Sequence, residues 1–127
     1  VEVVRCDVAD SIALEKAIAF TLQRFGSLNG VIHAAGVMND QPILLKTLSA
    51  ASGVLKPKVT GTLLLAAAVS KLPLDFLALF SSTSADLGPA GQVDYAAANA
   101  FLNSFALSSQ LPFPVLSISW GAWKGVG

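Results

Sequence analysis

The sequence predicts a three-layer α/β fold, a parallel β-sheet with helices on both faces, and three observations lead there. Short β-branched, apolar segments alternate with segments whose apolar residues recur at helical spacing along the whole chain. Each strand-like segment runs directly into small or polar residues, as strands do where they end at a binding crevice. The 127 residues are 54% hydrophobic and only 13% charged, enough for one compact core and unlike a disordered chain.

Taken in order, residues 1–6 are β-branched enough for a first strand. Asp7-Val8-Ala9-Asp10 then turns into a helix marked by Leu14, Ala17, Ile18, Thr21, Leu22 and Phe25, capped by Asp10 or Ser11 and closed by Gly26. Residues 30–37 read as a short buried strand entering a small-residue turn, His33-Ala34-Ala35-Gly36, where another group could approach the backbone closely. Residues 48–55 form a short helix. Pro57 suits the first position of a new helix running to about residue 70, with Lys58 in its opening turn. A strand over 75–80, a helix over 95–109 and a last strand over 114–120 complete the series. No internal repeat, low-complexity tract or linker appears, so residues 1–127 are read as one unit without an internal boundary.

The remaining composition narrows the class. Eight basic and eight acidic residues cancel, with an isoelectric point near 6.7, so the chain has no electrostatic footprint for nucleic acid or an anionic membrane. The longest purely apolar run, residues 63–69, is far short of the ~20 residues that span a bilayer. The opening Val-Glu-Val-Val-Arg lacks the pattern of a secretory signal. Cys6, the single cysteine, can form neither an internal disulfide nor a metal cluster, and the expected setting is reducing and cytoplasmic.

Three residues and a lysine pair carry the chemistry. Tyr95 is the only tyrosine; Ser82 stands thirteen residues before it, Asn99 four after it on the same helical face, and Lys56 and Lys58 lie well upstream. Reduction of a ketone by hydride leaves an alkoxide-like oxygen that needs stabilisation and a proton as its charge appears. A hydroxyl such as Ser82 can hold the carbonyl. A phenol can deliver the proton once a nearby cation lowers its pKa from about 10.

Tyr95-x-x-x-Asn99 with Ser82, the Lys58-Val-x-Gly-Thr stretch, His33-Ala-Ala-Gly-Val37, Leu79-Phe-Ser-Ser82 and Trp120-Gly-Ala-Trp123 together resemble the ketoreductase domain of modular polyketide synthases, within the short-chain dehydrogenase/reductase superfamily. In most of that superfamily a lysine follows the tyrosine by four; in the polyketide branch lysine and asparagine have exchanged places, as Asn99 and Lys58 have here. The resemblance spans essentially every residue and implies a partial Rossmann-like short-chain dehydrogenase/reductase fold. It implies that Ser82 bonds the substrate carbonyl, Tyr95 donates the proton, Lys58 lowers the phenol's pKa and touches the cofactor ribose, and Asn99 supports the proton path. Asp7 would contact the adenine end of the cofactor, Ala35 and Gly36 would line its passage, and Trp120 and Gly121 would flank the nicotinamide. The implied cofactor is NADPH. The implied substrate is a β-ketoacyl thioester on an acyl carrier protein, reduced to the β-hydroxyacyl thioester beside neighbouring synthase domains.

The family's glycine-rich phosphate loop, first strand and first helix would precede residue 1, so the chain is expected to be a fragment, inactive alone, whose first strand has lost its neighbours. Product handedness leans toward the subclass with Leu-Asp-Asp at Met38-Asn39-Asp40, because Leu87 stands where the other subclass has tryptophan. Rival readings are the equivalent domain of a multifunctional fatty acid synthase, a free-standing carbonyl reductase, and a non-catalytic structural domain. His33 has no second metal ligand and reads as structural; Lys56 reads as solvated surface. Asp7 could be a turn former, and Trp120 and Trp123 packing aromatics.

Overall fold

The computed structural model describes residues 1–123. Helix α1 (Ser11–Phe25) leads to strand β1 (Gly30–His33), and a 3-10 turn (Ile43–Leu45) precedes helices α2 (Leu48–Lys58) and α3 (Thr60–Val69). Strand β2 (Phe76–Ser82), short helix α4 (Ser84–Leu87), helix α5 (Val93–Ser108) and strand β3 (Val115–Trp120) follow. The three strands form one parallel sheet in the order β1-β2-β3. Its register places Leu79 beside His33 and Ser117, and Ser82 beside Trp120.

Local chemistry accounts for the ends. The Asp10 carboxylate accepts from the N–H groups of Ile12 and Ala13 at 3.0 and 3.1 Å, satisfying two donors that a helix start leaves free. Gly26, at φ 82°, closes α1 in the left-handed conformation that glycine adopts without strain.

The central strand organises the core. Leu77 and Leu79, both fully buried, point to one face and pack in a single cluster with Leu14 of α1, Leu65 and Val69 of α3, Leu102 of α5, and Leu74 and Phe113. Each leucine-sized side chain so buried contributes about 1.5–3 kcal/mol. Val8 joins this packing against Gly61, where an added Cβ would come within 2.7 Å of Val8 Cγ1. On the opposite face Ile32, Phe76, Leu116 and Trp120 are exposed.

Four expectations need correction. Residues 1–6 form no strand: no described strand offers them a ladder, Val1 and Val3 stand in solvent, and only Cys6 packs on the core. Pro57 does not open a new helix. It lies inside the last turn of α2, which tolerates the missing N–H because Val59 N still reaches Leu55 O at 2.8 Å. The break falls at Val59 instead, so Lys58 ends α2, and its carbonyl accepts the Thr62 hydroxyl. Strand β2 extends to Ser82 because Ser81 and Ser82 keep their backbone pairing with Ser119 and Trp120. Helix α5 begins at Val93, two residues before Tyr95, while α4 and the 3-10 turn had no sequence signal.

Candidate active site

The carboxyl ends of β2 and β3 open on a cleft of about 630 Å³. Lys58 of α2, Ser82 of β2 and Tyr95 of α5 all line it, with Gly36 and Met38 after β1, Gln92 before α5, and Trp120, Gly121 and Trp123 at the end of β3. Three elements, whose site residues are 24 and 13 residues apart in sequence, thus deliver an ammonium, a hydroxyl and a phenol to one cavity.

Lys58 is only 4% exposed, and its Nζ donates to the Phe80 carbonyl at 2.7 Å. Burial pushes its ammonium down to about 8. Gly36 leaves room for that side chain: a Cβ there would sit 3.2 Å from Lys58 Cε and 3.6 Å from Nζ. A cavity floored by backbone at Ala34, Gly36 and Gly121, with a cation at one side, fits the ribose and nicotinamide end of a dinucleotide; at Gly121 even an added Cβ would meet nothing within 4 Å.

Ser82 sits at the head of a hydrogen-bond chain. Its Oγ bonds Ser84 Oγ at 3.2 Å and accepts from Ser84 N at 3.1 Å; Ser84 Oγ donates to Gln92 Oε1 at 3.0 Å, and Gln92 Nε2 donates to Asp40 Oδ2 at 2.7 Å. Sequence reasoning did not assign Ser84 or Gln92 to the site. Their contacts join three separate segments, and nothing in local spacing announces them.

Tyr95 is half-buried, and behind it Asn99 is wholly buried. The Asn99 carboxamide folds back to donate to Tyr95 O at 2.8 Å, while its Oδ1 has no protein partner. Ser81 Oγ donates to Asn99 O at 3.1 Å and ties α5 to β2 at this level. Asn99 therefore supports Tyr95 from below and does not line the cleft.

The other predicted residues fall as follows. Ala35 lies between cleft-lining Ala34 and Gly36 without lining it. Asp7 stands apart on the surface. Its carboxylate accepts from Ala9 N at 2.9 Å and faces Lys56 Nζ at 3.4 Å, and those contacts, the Ala9 N–H foremost, hold it below the usual carboxylate range. Trp120 packs between Phe80 and Trp123, with ring centroids 5.4 and 5.2 Å away, and forms an aromatic wall of the cleft. His33 is buried beside this site; burial, then the Lys58 charge, push its imidazole down, which keeps it neutral. Its Nε2 has no partner among the described residues, and it does not line the cleft. No cluster of metal-ligating side chains occurs among the described residues, and no described helix is long and apolar enough to cross a membrane.

A parallel sheet with flanking helices and with these groups at its carboxyl edge defines a Rossmann-like protein of the short-chain dehydrogenase/reductase class. Within that class, the family model described as the KR domain matches residues 1–125, and the chain belongs to that family. It is 40% identical over 131 residues to the polyketide synthase PksL of Bacillus subtilis, covering all of this chain and 3% of that protein. It is 41% identical over 128 residues to a protein of Mycobacterium tuberculosis named putative inactive phenolphthiocerol synthesis polyketide synthase type I Pks1, of which it covers 8%. An N-terminal ketoreductase from the macrolactin assembly line superposes with a TM-score of 0.91 at 40% identity, over 95% of this chain and 26% of that one. The chain thus spans about a quarter of that solved ketoreductase and a few per cent of the curated relatives.

Proposed function

We propose that this chain is the catalytic part of an NADPH-dependent ketoreductase, which reduces a β-ketoacyl thioester held on an acyl carrier protein to the β-hydroxyacyl thioester. The observation that carries the reading is the convergence of Lys58, Ser82 and Tyr95 on one cleft beyond the strand ends. Nicotinamide cofactors are the rule in this superfamily, and Gly36, Lys58, Trp120 and Gly121 are the residues here that would hold the ribose and the ring. When bound, the cofactor supplies a hydride to the carbonyl carbon.

The chain's own residues do the rest. Ser82 Oγ–H turns from Ser84 toward the substrate carbonyl and holds the oxygen in place. As the C=O π-electrons move onto that oxygen, Tyr95 passes it the phenolic proton, so one hydride and one proton convert the ketone to an alcohol. The Lys58 ammonium, in a site where its charge is poorly screened, stabilises the phenolate left behind. Asn99, bonded to the Tyr95 carbonyl, keeps the first turns of α5 in register with β2. Trp120 and Trp123, packed edge to face, give the cleft an apolar wall.

The polyketide synthase relatives favour a thioester on a carrier and neighbouring synthase domains as partners over a fatty acid synthase or a free-standing reductase. A relative named putative inactive keeps a non-catalytic role in view, against which the complete set of Ser82, Tyr95, Asn99 and Lys58 speaks. The test supplies the full-length protein with NADPH and a carrier-bound β-ketothioester and follows the acyl chain by mass spectrometry. Formation of the hydroxy product is expected; unchanged ketothioester with intact, folded protein would overturn the proposal.

A further inference from the structure

Three stretches distant in sequence meet at the first turn of α5. The Asp94 side chain is 3% exposed, and its Oδ1 accepts from the Tyr95 backbone N–H at 3.0 Å. Its Oδ2 lies 2.9 Å from Lys46 Nζ, whose side chain is 5% exposed. Oδ2 has no well-angled hydrogen bond, so the Lys46 charge is what holds it. Lys46 Nζ in turn donates to the Asn39 carbonyl. Beside this pair, Gln41 N donates to Gly91 O at 2.9 Å and Gln92 Nε2 to Asp40 Oδ2 at 2.7 Å. Residues 39–46 are therefore clasped onto 91–94 at three places, immediately before Tyr95.

A buried ammonium–carboxylate pair adds little to stability, because desolvation of both charges offsets their attraction, and an apolar pair of similar size commonly does as well. What the charged pair provides that leucine and methionine do not is directional. One carboxylate oxygen is pinned to Lys46, which leaves the other aimed at the N–H of Tyr95. We infer that Lys46 and Asp94 are positioning residues that fix the first turn of α5, and with it the Tyr95 side chain, against the loop forming the Met38 side of the cleft. Neither lines the cleft; both act through Tyr95, so the inference rests on the reading of Tyr95 given above.

The test compares wild type, Lys46→Met/Asp94→Leu, Lys46→Met/Asp94→Asn, Lys46→Met alone and Tyr95→Phe in the full-length protein, with kcat and KM for NADPH-driven ketothioester reduction and the thermal midpoint of each. The apolar pair is expected to keep the wild-type midpoint and KM while kcat falls roughly 10- to 100-fold, the scale of a misplaced catalytic group. Lys46→Met/Asp94→Asn retains an acceptor for the Tyr95 N–H and is expected to recover most of that loss. A wild-type kcat in the apolar pair overturns the inference, as does an equal loss in both double variants that tracks their midpoints. If the apolar pair does not fold, Lys46→Met/Asp94→Asn against Lys46→Met decides: recovery supports the inference and its absence overturns it. An inactive Tyr95→Phe beside a fully active apolar pair removes this inference alone, whereas an active Tyr95→Phe removes the reading beneath it.

Discussion

Replacing Lys58 by methionine separates what this side chain does for the fold from what it does for the reaction. The ammonium ionises near 10.5 in an unfolded chain and near 8 in the buried site. Between those values the unfolded chain binds more protons at this site, so the Lys58 contribution to stability is least favourable below pH 8 and rises from there toward 10.5. The gap amounts to at most about 3 kcal/mol, and about 1–3 kcal/mol once the water reaching the cleft is allowed for. Lys58→Met relieves that cost at pH 7 but strands the Phe80 carbonyl, a loss of about 1–3 kcal/mol, so the two nearly cancel. Activity has no such offset. Removing the cation that stabilises the phenolate in the proposed reaction should slow proton delivery by roughly 10- to 1000-fold. The assay is kcat/KM for ketothioester reduction between pH 6 and pH 10 on the full-length protein, with urea unfolding alongside. Wild type should lose activity above about pH 8, where the Lys58 ammonium gives up its proton. The variant should show a lower plateau, no limb near 8, and unchanged stability at pH 7. A limb that persists near 8 in Lys58→Met, or a loss of rate explained by unfolding, would refute the reasoning.

Other substitutions read other parts of the structure. Ser82→Ala removes the hydroxyl that meets the carbonyl and should lower kcat by about 10²- to 10³-fold with little change in thermal midpoint, measured by steady-state kinetics and calorimetry. Gly61→Ala drives a Cβ to within 2.7 Å of Val8 Cγ1 and should destabilise by about 1–3 kcal/mol in urea unfolding, leaving cofactor KM unchanged. Asp10→Ala leaves the Ile12 and Ala13 N–H groups without their acceptor and should cost about 1 kcal/mol by the same measurement.

The alternation of strands and helices was legible because it is written in local periodicity: α1, with Asp10 before it and Gly26 after it, lies where its apolar repeat puts it. Residues 1–6 carry the same strand signal, yet a strand is defined by the partner beside it, and composition cannot supply a partner. Pro57 misled because its preference for a helix start is a local rule, while the bond from Val59 N to Leu55 O carries the helix past it. Ser82, Tyr95 and Lys58 were legible as a set of chemistries at fixed separations, and all three reach the cleft. The chain Ser82–Ser84–Gln92–Asp40 and the pair Lys46–Asp94 were not. They join side chains as far apart as 52 residues, and their meaning arises only when the turns after β1 and β2 fold against α5.

The central claim is that the Tyr95 hydroxyl protonates the oxygen of the reduced ketone. Tyr95→Phe keeps the ring and removes only that donor, so NADPH oxidation by the full-length variant with a β-ketothioester is the direct measurement. The account predicts a rate reduced by roughly 10²- to 10⁴-fold with the fold intact; a rate equal to wild type would contradict it.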